Sequence, residues 1–395
     1  MKSLTVNSEQ QSLLVTRICK MHTVLTFFLS SVLLVTTASA QKKMDKFISE
    51  EDGALDMSDF LNSKTGFLPV PIIITEPAVG LGGGLALAYF HKSKDEKGNR
   101  PKGLSPTVSF GAGGYTSNGT WFVGGGHQGS YKDDRWRYLG ALAYLSANLT
   151  FYGGGLELLK DEYEFNMKGF FTLQEILYRL KKETPFFLGL NYTYFNNTIS
   201  FKTGLDIPEL EELEVETSIG GINSVFLYDE RDNTLTPTKG FYSMLEVGAF
   251  REALGGDSDF GNLDSRSYFY VPVSERVFSG YRLHIQSNWG DVPFFALPFI
   301  SLRGIPAFRY QDTNVYTVET EWRWNFYNRW SVVGFLGAGE ALPDYGDIFT
   351  DVKVAGGTGF RYLLAKQYGL QTGIDISRGP EIWAWNITVG SYWGR

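Results

Sequence analysis

The chain has 395 residues, a formal net charge of −7, 43% hydrophobic and 15% aromatic residues, and 45 glycines against 14 prolines. That balance excludes disorder, collagen and coiled coils, and an acidic chain is a poor candidate for nucleic-acid binding. Rings and glycines together suit strands, turns and membrane interfaces. With no linker or composition shift after residue 70, one large all-β domain is expected rather than two or three of about 150 residues.

At the start, Lys20 precedes an apolar run from Val24 to Val35, followed by Ala38, Ser39 and Ala40, small residues in the pattern a signal peptidase reads. The run is shorter than the roughly 20 residues a helix needs to cross a bilayer. Residues 1–40 therefore read as a secretory signal peptide cleaved before Gln41, with Met21 as an alternative start. The single cysteine, Cys19, lies ahead of the apolar run, which argues against lipid attachment. A mature chain without cysteine has no disulfide and no Cys-based metal or redox site. Losing Lys2, Arg17 and Lys20 with Glu9 moves the net charge from −7 to −9.

Residues 41–67 have mixed charge and little periodicity and read as a short periplasmic extension, flexible or helical. From residue 68 onward no apolar stretch is long enough for a membrane helix, and the recurring signal is alternation with period two. The clearest case interleaves Tyr316, Val318, Thr320, Trp322, Trp324 and Phe326 with Thr317, Glu319, Glu321, Arg323 and Asn325. Strands are predicted at 68–75, 79–91, 105–115, 120–131, 135–147, 163–179, 185–202, 217–229, 240–250, 265–276, 280–290, 315–326, 330–339, 353–365, 368–377 and 382–393. Most clear segments run to about 8–11 residues, a length that crosses a bilayer at a tilt. These sixteen make an antiparallel transmembrane barrel over residues 68–395, closed by pairing 68–75 with 382–393. The expected location is the bacterial outer membrane, with both termini in the periplasm as an even strand count requires. Connections 132–134, 328–329 and 366–367 are short, whereas 148–162, 251–264, 291–314 and 340–351 are long; the charged stretch 92–104 breaks that parity once.

Three segments go beyond barrel physics. Residues 228–240 hold Asp229, Arg231, Asp232, Pro237 and Gly240 in a turn rich in Asx, Pro and Gly signals; residues 302–310 hold Arg303, Gly304, Arg309 and Tyr310 inside the longest apolar loop; and residues 335–339 end the next hairpin. In this order, with the Pro- and Gly-rich start from Leu68 to Gly84, they resemble the barrel domain of the BamA/TamA superfamily, the bacterial surface antigen family, over roughly 68–395. The resemblance implies that the loop is tucked from outside into the lumen. Arg303 would then face an inner-wall carboxylate, with Glu321 as the proposed partner and Glu319 beside it, and Gly304 would permit the tight turn. A guanidinium pushed into a confined lumen loses water and needs a carboxylate, and its fork geometry makes Arg better than Lys. The family usually has an Asp where this chain has Gly337.

Members that insert or translocate proteins usually carry repeated periplasmic POTRA modules of roughly 75 residues. The 27 residues from Gln41 to Phe67 are too few for one. The expectation is a barrel-only member with a membrane-protein or lipid-perturbing assembly role, its partners being outer-membrane lipid and a periplasmic or outer-membrane protein that supplies the missing modules. The alternatives are a passive channel or structural surface barrel, and a barrel hydrolase. The chain is expected not to be an enzyme and to need no cofactor or metal. Gly80, Gly82, Gly83 and Gly84 precede no helix and suit a strand better than a nucleotide loop. The 256–260 stretch misses the nucleophile-elbow pattern at its last position. His91, His127 and His284 are far apart in sequence, and the acidic run Asp206, Glu209, Glu211, Glu212, Glu214 and Glu216 reads as a solvated extracellular loop.

Overall fold

The computed structural model describes residues 47–58, 66–91, 107–151, 163–202, 212–344, 346 and 348–393. The predicted signal peptide, residues 41–46 and 59–65 of the 41–67 extension, the 92–104 stretch and Asp206, Glu209 and Glu211 lie outside them. Residues 47–58 form a unit of their own, a small hairpin in which Ile48 bridges Leu55. No described helix is long and apolar enough to cross a membrane, which says nothing of strands.

Sixteen strands follow: β1 (Gly66–Ile74), β2 (Gly82–Phe90), β3 (Val108–Thr116), β4 (Trp121–Tyr131), β5 (Trp136–Phe151), β6 (Tyr163–Arg179), β7 (Phe186–Lys202), β8 (Glu212–Asp229), β9 (Gly240–Phe250), β10 (Phe260–Pro272), β11 (Val277–Gly290), β12 (Asn314–Tyr327), β13 (Trp330–Leu342), β14 (Lys353–Ala365), β15 (Leu370–Arg378) and β16 (Trp383–Val389). They form one antiparallel sheet in sequential order, each paired with its chain neighbours. Alternation sets the faces. On β12, Val318, Trp322 and Trp324 are exposed outward, while Val315, Thr317, Glu319 and Arg323 are buried inside.

Several predicted boundaries are corrected. The strands run from 7 residues in β16 to 18 in β8; β6 keeps the predicted bounds and β7 begins one residue later, whereas β16 ends at Val389 instead of 393. β8 begins at Glu212, so Glu214 and Glu216 lie on a strand paired with β7 rather than in a loop. β10 starts at Phe260 instead of 265 because its first residues continue the ladders to Phe250 and Gly290.

The predicted closure is also corrected: among the described residues no ladder joins β1 to β16, and the barrel is nearly closed rather than closed. The cause lies in both partners. Pro69 and Pro71 in β1 have no N–H to donate. β16 stops at Val389, where Gly390 takes φ +79, a left-handed conformation that glycine adopts at little cost. The N–H of Gly390 still donates to Gln371 of β15, but that of Ser391 turns to Leu235, drawing residues 391–393 out of the sheet and into the lumen.

Connections after odd strands gather at one rim and include the long 251–259, 291–313 and 343–352 loops; those after even strands gather at the other and include the short 132–135 and 328–329 turns. The 291–313 loop fills the barrel from the long-loop rim. Phe294, Phe295 and Phe308 pack on an inner-wall cluster that includes Phe165, Phe195, Phe250 and Phe260. Further along, Ile300, Leu302 and Ile305 pack with Val315 and Ala355.

Candidate functional site in the barrel lumen

The fully buried Arg303 guanidinium sits in a cage of three carboxylates. Its Nε and Nη2 donate to Glu319 Oε1 at 3.1 and 2.6 Å, and its Nη1 donates to Glu321 Oε2 at 2.7 Å and Asp375 Oδ2 at 3.0 Å. The guanidinium lies over the Phe335 ring at 3.4 Å and over Tyr392 at 4.6 Å. Two further arginines share the carboxylates: Arg282 lies 3.4 Å from Glu319, and Arg361 donates to both oxygens of Asp375. Burial makes each charge expensive alone, and the shared hydrogen bonds offset that cost only while every partner is present.

The sequence placed Arg303 against Glu321, with Glu319 nearby; both are in contact, but Glu319 takes two of the bonds. Asp375 was missed. On β15 it is one acidic residue in an ordinary alternating strand, and its signal was inward parity beside Arg361 of β14. Gly337 holds no carboxylate; a Cβ there would meet Leu302 Cδ2 at 2.5 Å, so the loop's own leucine covers the position. Gly304 turns with φ +96, and a side chain on it would meet the backbone N of Gly379 at 2.8 Å. The loop can cross the β15–β16 connection only because both residues there are glycine.

At the long-loop rim, Arg309 makes a bidentate clasp on Glu381, and Tyr310 donates to the same carboxylate at 2.7 Å. The bonds from Arg309 hold the Glu381 carboxyl below its ordinary value, and burial beside Glu381 pushes the Tyr310 hydroxyl up to about 12. The N–H of Ala307 donates to Glu76 in the β1–β2 connection at 3.0 Å.

The predicted turn motif lies at the opposite rim. Asp229 accepts from Arg137 at 3.0 Å and Arg231 at 2.8 Å, while Asp232 accepts the Thr238 and Lys239 N–H groups. Gly240 takes φ +116 because a Cβ would strike the Glu230 carbonyl at 2.2 Å. The turn reaches across the barrel: Asn233 donates to the carbonyl of Tyr368 at 2.8 Å, and Pro237 lines the lumen base beside Gly390. Trp393, unremarked in the sequence, stacks on Tyr268 and donates its indole N–H to Glu319 at 2.7 Å. Glu319 thereby links the tucked loop to the C-terminal segment.

The histidines divide. His284 faces the lumen, within 3.1 Å of Asp264 and of Arg282. His91 and His127, far apart in sequence, meet on the outer wall through Ser109, whose Oγ lies 2.9 Å from His91 Nε2 and 2.7 Å from His127 Nδ1. The residues 256–260 form no nucleophile elbow; Asp257 caps the backbone N–H of Ser218. Among the described residues no group of acidic, His or Cys side chains has the geometry to hold a metal.

Fold and lumen define the class, a sixteen-stranded antiparallel barrel with a loop tucked against an acidic inner wall. Residues 161–302 match the Omp85 superfamily domain, and the barrel shares its fold with Omp85-type proteins. BamA from Haemophilus ducreyi lacking POTRA domains 1–3 superposes with a TM-score of 0.53 at 11% identity, over 88% of this chain and 81% of that one. CdiB from Escherichia coli gives 0.54 at 12% identity over 82% and 62%, and CdiB from Acinetobacter baumannii 0.52 at 9% over 82% and 59%. The chain thus spans less than two thirds of either CdiB. No curated protein sequence matches it significantly. The resemblance seen in residues 68–395 is carried by this domain and barrel, and among the described residues no repeated α/β module precedes β1.

Proposed function

We propose that the chain is an outer-membrane barrel of Omp85 type, with both termini in the periplasm, that assists membrane-protein assembly or perturbs lipid through its β1–β16 seam while the 291–313 loop plugs the lumen. The observation that carries this reading is the Arg303 cage. Three inner-wall carboxylates committed to one loop arginine suit a held plug rather than an open pore. Long loops at one rim and short turns at the other support the orientation, with the long loops outside. Client-capture modules would come from a periplasmic or outer-membrane partner. In this reading the chain is not an enzyme: Ser109 has imidazole neighbours, but the surrounding backbone N–H groups are engaged in the ladders and leave no donor pair for an oxyanion. Ser109→Ala should leave phospholipid turnover unchanged.

A passive channel or structural barrel is the second reading, favoured by a polar lumen cavity of about 620 Å³ lined by Arg137, Glu175, Asn191, Glu246 and Arg266 among others. Planar-bilayer recording separates the two. Small flickering openings are expected of a plugged barrel, and a large steady conductance from the wild type would assign the passive channel. For the assembly role, the folded chain in liposomes should speed insertion of an unfolded barrel client; no acceleration with or without periplasmic extract would remove it.

A further inference from the structure

We infer that the outer wall over β2–β4 binds a membrane phospholipid at the short-turn rim, holding its headgroup and the first methylenes of one chain. Four polar side chains meet there. Ser109 Oγ lies 2.9 Å from His91 Nε2 and 2.7 Å from His127 Nδ1, and His127 Nε2 bonds to the Tyr131 hydroxyl. The ladders align Tyr89, Ser109 and His127 across the three strands, so the cluster shares the outward face of the exposed Leu85, Leu87 and Val123. His91 follows β2 and Tyr131 ends β4, both at the rim that carries the 132–135 turn. These hydrogen bonds join the four groups in a chain. A neutral imidazole has one N–H, so whichever way the chain runs, one donor is left over at an end, Tyr131 Oη–H or His91 Nδ1–H. A ligand there must accept.

Water would accept that bond as well; the backbone beside the cluster and the charge around it point to lipid. Gly111 and Gly125 face each other across β3–β4, one outward position along from Ser109 and His127, and Gly113 continues the floor. Packing does not require glycine at Gly111, where a Cβ would meet no heavy atom nearer than 3.8 Å. Leu85, Leu87, Val123 and Leu142 stand exposed around this floor. The result is a shallow trough about 7 Å along the strand and two strands wide. Lipid chains are as apolar as leucine, so burial alone selects nothing. Close contact with bare backbone, the approach that glycine in a strand interior permits, holds the chain, and the polar cluster holds the head. The adjoining turn adds Lys132 and Arg135 against Asp133, while its other acid, Asp134, is bound by Arg137 and Arg179. That end of the trough is therefore net positive, complementary to a phosphate. A glycerophospholipid carries both parts at this spacing, a phosphate with ester oxygens and a chain that begins beside them. The inference rests on the membrane reading above, in which this rim belongs to the periplasmic leaflet. Lipid held there sits on the strands that adjoin β1, beside the seam.

The test is native mass spectrometry of the full mature chain, folded in detergent and titrated with phosphatidylglycerol, with the same samples reconstituted into liposomes to score insertion. Wild type should retain one phospholipid with saturable binding that inorganic phosphate does not displace. His127→Phe keeps a ring but breaks the chain of hydrogen bonds, and should weaken retention about tenfold, the loss of one hydrogen bond to a charged group. Gly111→Leu fills the trough and should weaken it at least as much. Val354→Leu, on the exposed face of β14, should bind like wild type. Displacement by inorganic phosphate would assign a bare anion site and overturn the lipid assignment. Equal retention in wild type, His127→Phe and Gly111→Leu would overturn the site. If Gly111→Leu does not fold, His127→Phe decides. A wild type that inserts into liposomes but retains no phospholipid rejects this inference alone; one that does not insert removes the membrane reading and the inference with it.

Discussion

Arg303 meets an unusual demand: one cation, fully buried, satisfies three anions at once. Removing it exposes the mutual repulsion of Glu319, Glu321 and Asp375 as well as their burial cost. Arg303→Ala should destabilise the loop by up to about 3–5 kcal/mol, less whatever lumen water recovers. The expected readouts are faster surface proteolysis near Arg309 and larger conductance. Arg303→Lys keeps the charge but loses the fork, so it should protect partially; full protection would mean that charge alone holds the loop. Glu381 governs the other anchor. Its carboxyl is held below the ordinary value of 4.5 by Arg309, so the clasp's contribution is present above that value and lost as pH falls through the depressed one. Protease resistance at Arg309 should be flat from pH 7 to 5 and decline only below about 4.5, with Glu381→Gln susceptible throughout. A decline near pH 6 would point to another group. Because Glu381 is well exposed, its effect should be smaller than that of Arg303.

Strand β12 separates the faces of the barrel in adjacent residues. Trp322→Arg puts a charge on the apolar outer face and should cost about 2–4 kcal/mol at mid-bilayer, less near an interface. Glu321→Gln removes one of three partners of Arg303 while Glu319 and Asp375 remain, so folding into lipid should be far less affected. Equal impairment would reverse the face assignment. Period-two alternation made strand number, order and β12's faces readable, because side-chain direction is local to a strand. The same locality hid the rest. β16 ends early because Ser391 bonds to Leu235 rather than continuing along β15, a pairing that only the folded barrel creates. Asp375 joins the cage across a gap of 72 residues, and Trp393 reaches Glu319 across 74. Ser109 gathers His91 and His127 only because β2, β3 and β4 stand in register.

At the scale of the molecule, two inserts meet at Glu319: the loop from one rim and the C-terminal segment from the other. Trp393→Ala removes a buried ring packed on Tyr268 and Tyr270, a change that commonly costs about 3–5 kcal/mol. The C-terminal residues should become sensitive to carboxypeptidase while Arg303 keeps the loop protected; loss of both protections together would show one cooperative plug. The loop's outer contacts carry a mechanical consequence. Ala307 is tied to the β1–β2 connection through Glu76, and Arg309 to the β15–β16 connection through Glu381. A single strap therefore fastens both flanks of the gap at one end, and nothing comparable bridges the other end among the described residues. Spin labels across the two ends should show broad distances only at the short-turn end. Under the proposed function, a wall so fastened parts as a wedge, widest at the short-turn rim and pinched shut at the long-loop rim.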